Sequence, residues 1–197
     1  PFTYWLLSSS YSQSDYNQTV AGASESYSYS GKSKLIGADL SRVLYRDAKR
    51  KTTTSVGGWY RESQNFINDV EIEVQRRKTG GWKASLEHTE YLANATLTGN
   101  LTYKRGTGAF NAMHAPEEQF GEAYTHVGIL QANANLQVPF KAGNQSLRYL
   151  AEWRTQYSKK PLTPQDRFSI GNRYTVRGFD GEQTLLADNG FLVRNEI

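Results

Sequence analysis

The sequence predicts an all-β fold, and within that class a stretch of antiparallel transmembrane β-barrel wall of about eight strands. Three observations carry the prediction. Apolar and polar residues alternate with a period of two, over runs that mostly exceed the ~9–11 residues a tilted membrane strand needs. Soluble strands average only ~5–6 residues. Thirteen tyrosines and four tryptophans accompany 17 glycines and one methionine, which fits strands with aromatic girdles better than a helical core. The connections sort into mostly short turns on one side and longer loops on the other, as in outer-membrane barrels.

In chain order, strands are predicted over roughly 2–18, 28–46, 51–67, 70–92, 95–106, 123–139, 145–158 and 190–197. The first, "FTYWLLSSSYSQS", and the third, "TTTSVGGWYRE", have the weakest pattern. In the second, Ile36, Ala38 and Leu40 alternate before Val43 and Tyr45 take the other phase, which places a bulge around Ser41 and Arg42. In the fourth, Val70, Ile72, Val74, Trp82, Ala84 and Leu86 stay in phase across a basic patch. In the fifth, Leu97, Gly99, Leu101 and Tyr103 oppose Thr96, Thr98, Asn100, Thr102 and Lys104. The sixth sets Leu130, Ala132, Ala134, Leu136 and Val138 against Gln131, Asn133, Asn135 and Gln137. The seventh is the cleanest, with Leu147, Tyr149, Ala151, Trp153, Thr155 and Tyr157 on one face. Arg148, Glu152, Arg154 and Gln156 occupy the other, and Leu150 alone intrudes.

Such alternation marks strands that stand between two solvents. The candidate pore-lining residues are therefore Lys104, Asn133, Gln137, Arg148, Glu152 and Arg154. A lumen lined with amides and charges holds water, whereas eight strands close only around packed side chains. A wet lumen needs more strands, so residues 1–197 read as a fragment of a single barrel domain. The ends fit that expectation: "PFTYWLLSSSYS" has neither an initiator methionine nor the charged head of a signal peptide, and "GFLVRNEI" reads as mid-strand. "RDAKRK", "LANA" and "PFKAGNQ" are the short turns. "NQTVAGASESY", "GTGAFNAMHAPEEQFGEA" and the stretch from about 159 to 190 are the long loops, and the connection near Asn68 is short.

Composition excludes other classes. No run of ~18 apolar residues is present, so a transmembrane helix is excluded, and mean hydropathy is −0.67. The chain has no cysteine, which rules out a disulfide framework or a thiolate metal site. A net charge of +4 does not identify a nucleic-acid binder. His88, His114 and His126 lack ligand spacing. "GTG" at 106–108 has no strand-to-helix context, and no serine sits in a G-x-S-x-G elbow. No catalytic constellation is found, and neither a cofactor nor a metal is expected. Of two basic clusters, Lys49–Arg50–Lys51 reads as a solvated turn. Arg76, Arg77 and Lys78 read as solvated charge or as partners for lipopolysaccharide phosphates.

The connection from about 159 to 190 is longer than structureless loops usually are, and it contains "RYTVRGFDGEQTLLADNG" at 173–190. Here Gly178 gives room beside Arg177, and Phe179 can pack. An arginine at such a tip can form a bidentate pair with a carboxylate. If the loop folds back into the barrel, that pair pins it there; otherwise it is a solvent-exposed loop.

"RFSIGNRYTVRGFDGE" followed by "NGFLVRNEI" resembles the signature region of two-partner secretion transporters (TpsB), the haemolysin- and filamentous-haemagglutinin-type outer-membrane translocators. These are relatives of the barrel-assembly insertases. "SYSQSDYNQTVAG", "LSRVLYRDAKRKT" and "TPQDRFSIG" extend the resemblance, including to transporters for contact-dependent inhibition, over essentially the whole chain. It implies a 16-stranded barrel with two POTRA domains and a plug helix, of which this chain supplies about the fifth to twelfth strands. The motif loop is then the sixth external loop, with Val176, Arg177, Gly178, Phe179, Asp180 and Gly181 as its tip. Arg194, Asn195 and Glu196 match the R-N-E stretch of the following strand. The resemblance implies that the loop arginine pairs with an acidic residue on the inner wall of the strand after that, past Ile197, with Glu196 a local substitute.

The function so implied is export of one large unfolded TpsA-type exoprotein (a haemolysin, adhesin or contact-dependent toxin) across the outer membrane of a Gram-negative cell, without ATP. The expected partners are that exoprotein and outer-membrane lipid or lipopolysaccharide, and not nucleic acid. The alternatives are an insertase of the same superfamily, with more POTRA domains, a general porin, and a soluble glycan-binding β-domain.

Overall fold

The computed structural model describes residues 5–22, 25–171, 175–176 and 184–197. Among them the regular structure is strands and short 3-10 turns. The strands are β1 (Trp5–Ala21), β2 (Ser26–Arg46), β3 (Arg50–Ile67), β4 (Val70–Glu71), β5 (Arg77–Leu92), β6 (Ala95–Thr107), β7 (Gly128–Ala142), β8 (Gln145–Ser158), β9 (Phe168–Ile170), β10 (Leu185–Ala187) and β11 (Gly190–Glu196). The main sheet runs β1-β2-β3-β5-β6-β7-β8-β11, with β4 folded against β3, while β9 and β10 form a separate hairpin. Every long strand lies antiparallel beside its chain neighbours. The meander is the arrangement the alternating patterns require, since short turns can join only antiparallel strands.

Three turns at one end are tight: 47–49, 93–94 and 143–144. Asp47 organises the first by accepting bonds from the Lys49 and Arg50 amides at 2.7 Å each. Gly143, at φ +61°, takes the left-handed position that a two-residue hairpin needs. At the other end the connections 108–127 and 159–189 are long, but 22–25 is not. The ladder of β1 and β2 continues to Ala21 and Ser26 through the predicted loop "NQTVAGASESY", with Tyr16 and Tyr29 in ring contact at 5.9 Å.

Four further boundaries differ from the pattern reading. The predicted strand 70–92 is interrupted: Asn68 and Asp69 take left-handed φ of 45° and 65° and fold β4 back on β3. A 3-10 turn at Glu73–Gln75 follows before β5 begins. Val70, read as a member of the apolar face of one continuous strand, falls in β4, and Val74 falls inside that turn. The connection near Asn68 is thus a folded segment from 68 to 76 rather than a short turn. Strand β7 starts at Gly128, not 123, because 123–127 pack beneath the next loop, with Ala123, Thr125 and Val127 buried. The bulge falls between Val43 and Tyr45, while Ser41 and Arg42 pair regularly with Ser55 and Thr54.

The register gives the sheet two chemically distinct faces. One cross-strand row is Leu86, Leu101, Ala132, Thr155 and Phe191, and the next is Ala84, Tyr103, Leu130 and Tyr157. Trp82, Leu97, Trp153 and Val193 share this face, and all are largely exposed. In water so extended an apolar surface is a liability; against lipid it is the solvated state. The opposite face carries the rows Asn100, Asn133, Arg154 and Thr98, Asn135, Glu152, Arg194. The small conventional core sits at the long-loop end, around Val127, Ile129 and Leu162.

Candidate functional site: the polar face and the loop root

All six candidate pore-lining residues, Lys104, Asn133, Gln137, Arg148, Glu152 and Arg154, lie on the polar face of β6, β7 and β8. Several of its groups satisfy one another. Arg194 bridges to Glu152 at 3.1 Å and to Glu196 at 3.6 Å. Gln131 donates to Gln156 Oε1 at 2.7 Å, and the Arg154 guanidinium stands 5.5 Å from the Phe168 ring centre. Within the R-N-E stretch, Arg194 and Glu196 share the polar face. Asn195 points the other way and accepts a bond from the Tyr149 hydroxyl at 2.7 Å.

The root of the long connection folds onto this face. Pro161 and Pro164 lack the N–H that a continued ladder needs, so the chain leaves β8 at Ser158. Leu162 then inserts against Val127, Ile129 and Tyr124 and is wholly buried. Tyr124 N–H donates to the Pro161 carbonyl at 3.0 Å. The returning arm ties the root down: Asp188 Oδ1 accepts from Leu162 N–H at 2.8 Å and lies 3.4 Å from Arg167 Nε. Asn189 Oδ1 accepts from Ser158 N–H at 2.5 Å. After Thr163, the turn Pro164–Asp166 aims a carboxylate at the wall.

There Asp166 Oδ1 meets Lys104 Nζ of β6 at 2.8 Å and Arg61 Nη1 of β3 at 3.3 Å. Gln165 donates to Ser63 Oγ of β3 at 2.8 Å, and Gln156 of β8 donates to the Asp166 carbonyl at 2.9 Å. One short turn touches β3, β6 and β8 at once, so the polar face is concave. Lys104 Nζ also rides 3.9 Å above the buried Trp59 ring, a cation–π contact. Directly across from Trp59, Gly81 is required by close approach, since a Cβ there would stand 1.9 Å from the Arg105 carbonyl oxygen.

Burial opposes ionisation of Asp166, yet the Lys104 and Arg61 charges outweigh it and hold the carboxyl below its ordinary range. A depressed carboxylate adds stability that is present above the unfolded value of ~3.9 and is lost as pH falls through the folded value. Loosening of the loop root is therefore expected only below about pH 4, read as faster pepsin cutting at Phe168 while the barrel is held at that pH.

Other predicted groups fall elsewhere. Arg76 is paired with Glu71 at 2.5 Å, Arg77 with Glu117, and Lys78 with Glu62 at 3.3 Å, so carboxylates already answer this basic run. The structure brings His114 and His126 together, ring centres 4.0 Å apart, with Glu118 Oε2 2.7 Å from His114 Nδ1. Burial, then the neighbouring His114, keeps His126 below the usual imidazole range. Among the described residues no group of three or more His, Asp or Glu side chains is placed so that it could hold a metal ion. Of the loop motif, Arg177, Gly178, Phe179, Asp180 and Gly181 lie outside the described residues. Val176 is described, and it shares a cleft with Leu192, Arg194 and Glu196.

A concave antiparallel meander, apolar outside and polar inside, with a loop folded against its inner surface, is the wall of a membrane β-barrel. The chain belongs to the haemolysin secretion/activation protein ShlB/FhaC/HecB family, whose profile matches residues 1–197. It is 30% identical, over 100% of its length and 34% of the relative's, to outer membrane transporter CdiB-2 of Burkholderia pseudomallei. Identity is 26% to the hemolysin transporter protein ShlB of Serratia marcescens, over 85% of this chain and 29% of that protein. Among solved structures, CdiB from Acinetobacter baumannii superposes with a TM-score of 0.84 at 36% identity, covering 98% of this chain and 33% of that one. CdiB from Escherichia coli gives 0.89 at 26% identity, covering 99% and 36%. The chain spans about a third of the length of the curated relatives it matches.

Proposed function

We propose that this chain is the central part of one transmembrane barrel domain, about the fifth to twelfth strands. The barrel exports a large unfolded exoprotein from periplasm to cell surface in two-partner secretion and resides in the Gram-negative outer membrane. The supporting observation is the concave polar face, backed by the family membership and by an outer face suited to lipid. Lys104, Asn133, Gln137, Arg148, Glu152 and Arg154 line the path. Amides and hydrated charges there exchange for water against the backbone of a sliding chain, with no single tight site, because Glu152 and Arg194 already satisfy each other.

The cargo class is a haemolysin, adhesin or contact-dependent toxin, as the names of the relatives suggest. Transport rather than catalysis is the class of activity, with no cofactor or metal called for. The apolar outer face meets outer-membrane lipid and lipopolysaccharide. Arg76, Arg77 and Lys78, matched by carboxylates, add little to that contact.

The motif residues Val176, Arg177, Gly178, Phe179, Asp180 and Gly181, with Arg194, Asn195 and Glu196 of the following strand, act as a conformational element that holds the barrel in a working state. Arg177→Ala in the full-length parent is expected to cut cognate exoprotein in the medium by at least about tenfold. That is the scale of losing one charge-assisted pair. Barrel level in the outer membrane is expected to stay constant. Unchanged secretion would remove Arg177 from the machinery. Deleting the whole parent separates the readings: an exporter loses one exoprotein from the medium, whereas an insertase loses other barrels from the membrane.

A further inference from the structure

We infer that Asp166 is a positioning residue of the export path: it anchors the loop root to the inner wall through Lys104 and Arg61, separately from the motif arginine. The geometry stands without the export reading; its consequence for secretion rests on that reading.

Three features make this an anchor rather than an incidental ion pair. The carboxylate reaches across 62 residues of sequence to Lys104 and 105 residues to Arg61, joining β6 and β3. All three side chains are mostly withdrawn from solvent, with 12%, 16% and 21% exposure for Asp166, Lys104 and Arg61. Exposed pairs contribute little, whereas a desolvated pair leaves an uncompensated charge when one partner is removed. The flanking bonds, Gln165 to Ser63 and Gln156 to the Asp166 carbonyl, hold the same turn at the same place.

The anchor does two things. It fixes the start of the connection that follows β8 to the inner wall, through β6 and β3. It also neutralises a cationic strip of the wall. On the polar face of β3, β5 and β6 stand Arg61, Lys83 and Lys104, and Lys83 is answered by Asp39 of β2 at 3.0 Å. Asp166 is the carboxylate that answers the other two. A lumen lacking it presents two unmatched cations to whatever passes.

The test uses the purified full-length barrel and the intact secreting cell. Asp166→Asn is nearly isosteric and removes only the charge. In planar bilayers its open current is expected to shift toward anions, and exoprotein release is expected to fall several-fold at unchanged barrel level. In the same background, freed of any cysteine elsewhere, Gln165→Cys with Ser63→Cys is bridged by a short bis-maleimide. The bridge is expected to form and to restore release, because position has been restored without the charge. Wild-type selectivity together with wild-type release in Asp166→Asn would overturn the anchor. So would a bridge that fails to form between those positions in the otherwise native barrel, a measurement that holds even if Asp166→Asn does not fold. Selectivity and bridging need no exoprotein, so a parent that releases none defeats the export reading and leaves the anchor to be judged on these alone.

Discussion

Leu101→Arg is expected to destabilise the full-length barrel by about 2–4 kcal/mol, the cost of a cation on a lipid-facing strand near the bilayer midplane. Leu101 sits at the middle of β6, with Leu86 and Ala132 opposite it on the apolar face. Its chain neighbour Asn100 occupies the other face, opposite Asn133. Asn100→Arg is therefore expected to cost under about 1 kcal/mol, since its guanidinium stays in water. Equilibrium unfolding in urea from lipid vesicles reads both values. The comparison is internal: two substitutions to the same residue, one position apart, share propensity and backbone context. They differ in which solvent receives the charge and in the side chain removed, Leu101 or Asn100. Equal costs would mean that no lipid contact exists, and a larger cost at Asn100 would mean that the faces are reversed.

The same logic explains what the sequence reveals and what it hides. Period-two alternation is legible because each face has one solvent along its whole length, so seven of the eight predicted strands appear close to their places. It fails where a break preserves parity. Val70, Ile72 and Val74 keep step with Trp82, yet the turn at Glu73–Gln75 separates them. The usable signal was Asn68–Asp69, a pair tolerant of left-handed φ. The bulge was misplaced for a related reason. Val43 pairs with Thr53 on the polar face, and the slip comes after it at Leu44; an apolar residue on the wet side reads as a change of phase.

The anchor was illegible altogether. Lys104 stood out as a lumen candidate, but its partner is a lone aspartate in "TPQDRF", 62 residues away. No local pattern links them, since the contact exists only once the sheet has curled and the prolines have turned the chain inward. Likewise His114 and His126 meet only because the loop between them folds back.

Leu162→Ala is expected to weaken the loop root by about 2–5 kcal/mol, the range for emptying a fully buried leucine site. Leu162 is the large side chain with no exposure among the described residues, and it packs against Val127, Ile129 and Tyr124. The loss should be local, because the ladders of β1 to β8 do not pass through it. Its carbonyl also accepts from Arg167 Nε at 3.2 Å, so the bond after Arg167 becomes accessible whenever the root opens. Trypsin cutting there is the readout, and at about 1.4 kcal/mol per tenfold the rate should rise at least ~30-fold, with urea unfolding of the barrel nearly unchanged. Packing by Leu162 and charge pairing by Asp166 hold the same turn from two sides, so their losses are expected to couple rather than add. If Leu162→Ala leaves cutting slow, the ion pairs alone hold the root, and the cavity left behind has closed by local collapse. If it speeds cutting and Asp166→Asn adds nothing further, opening is one cooperative event, and the root behaves as a single latch rather than two independent contacts.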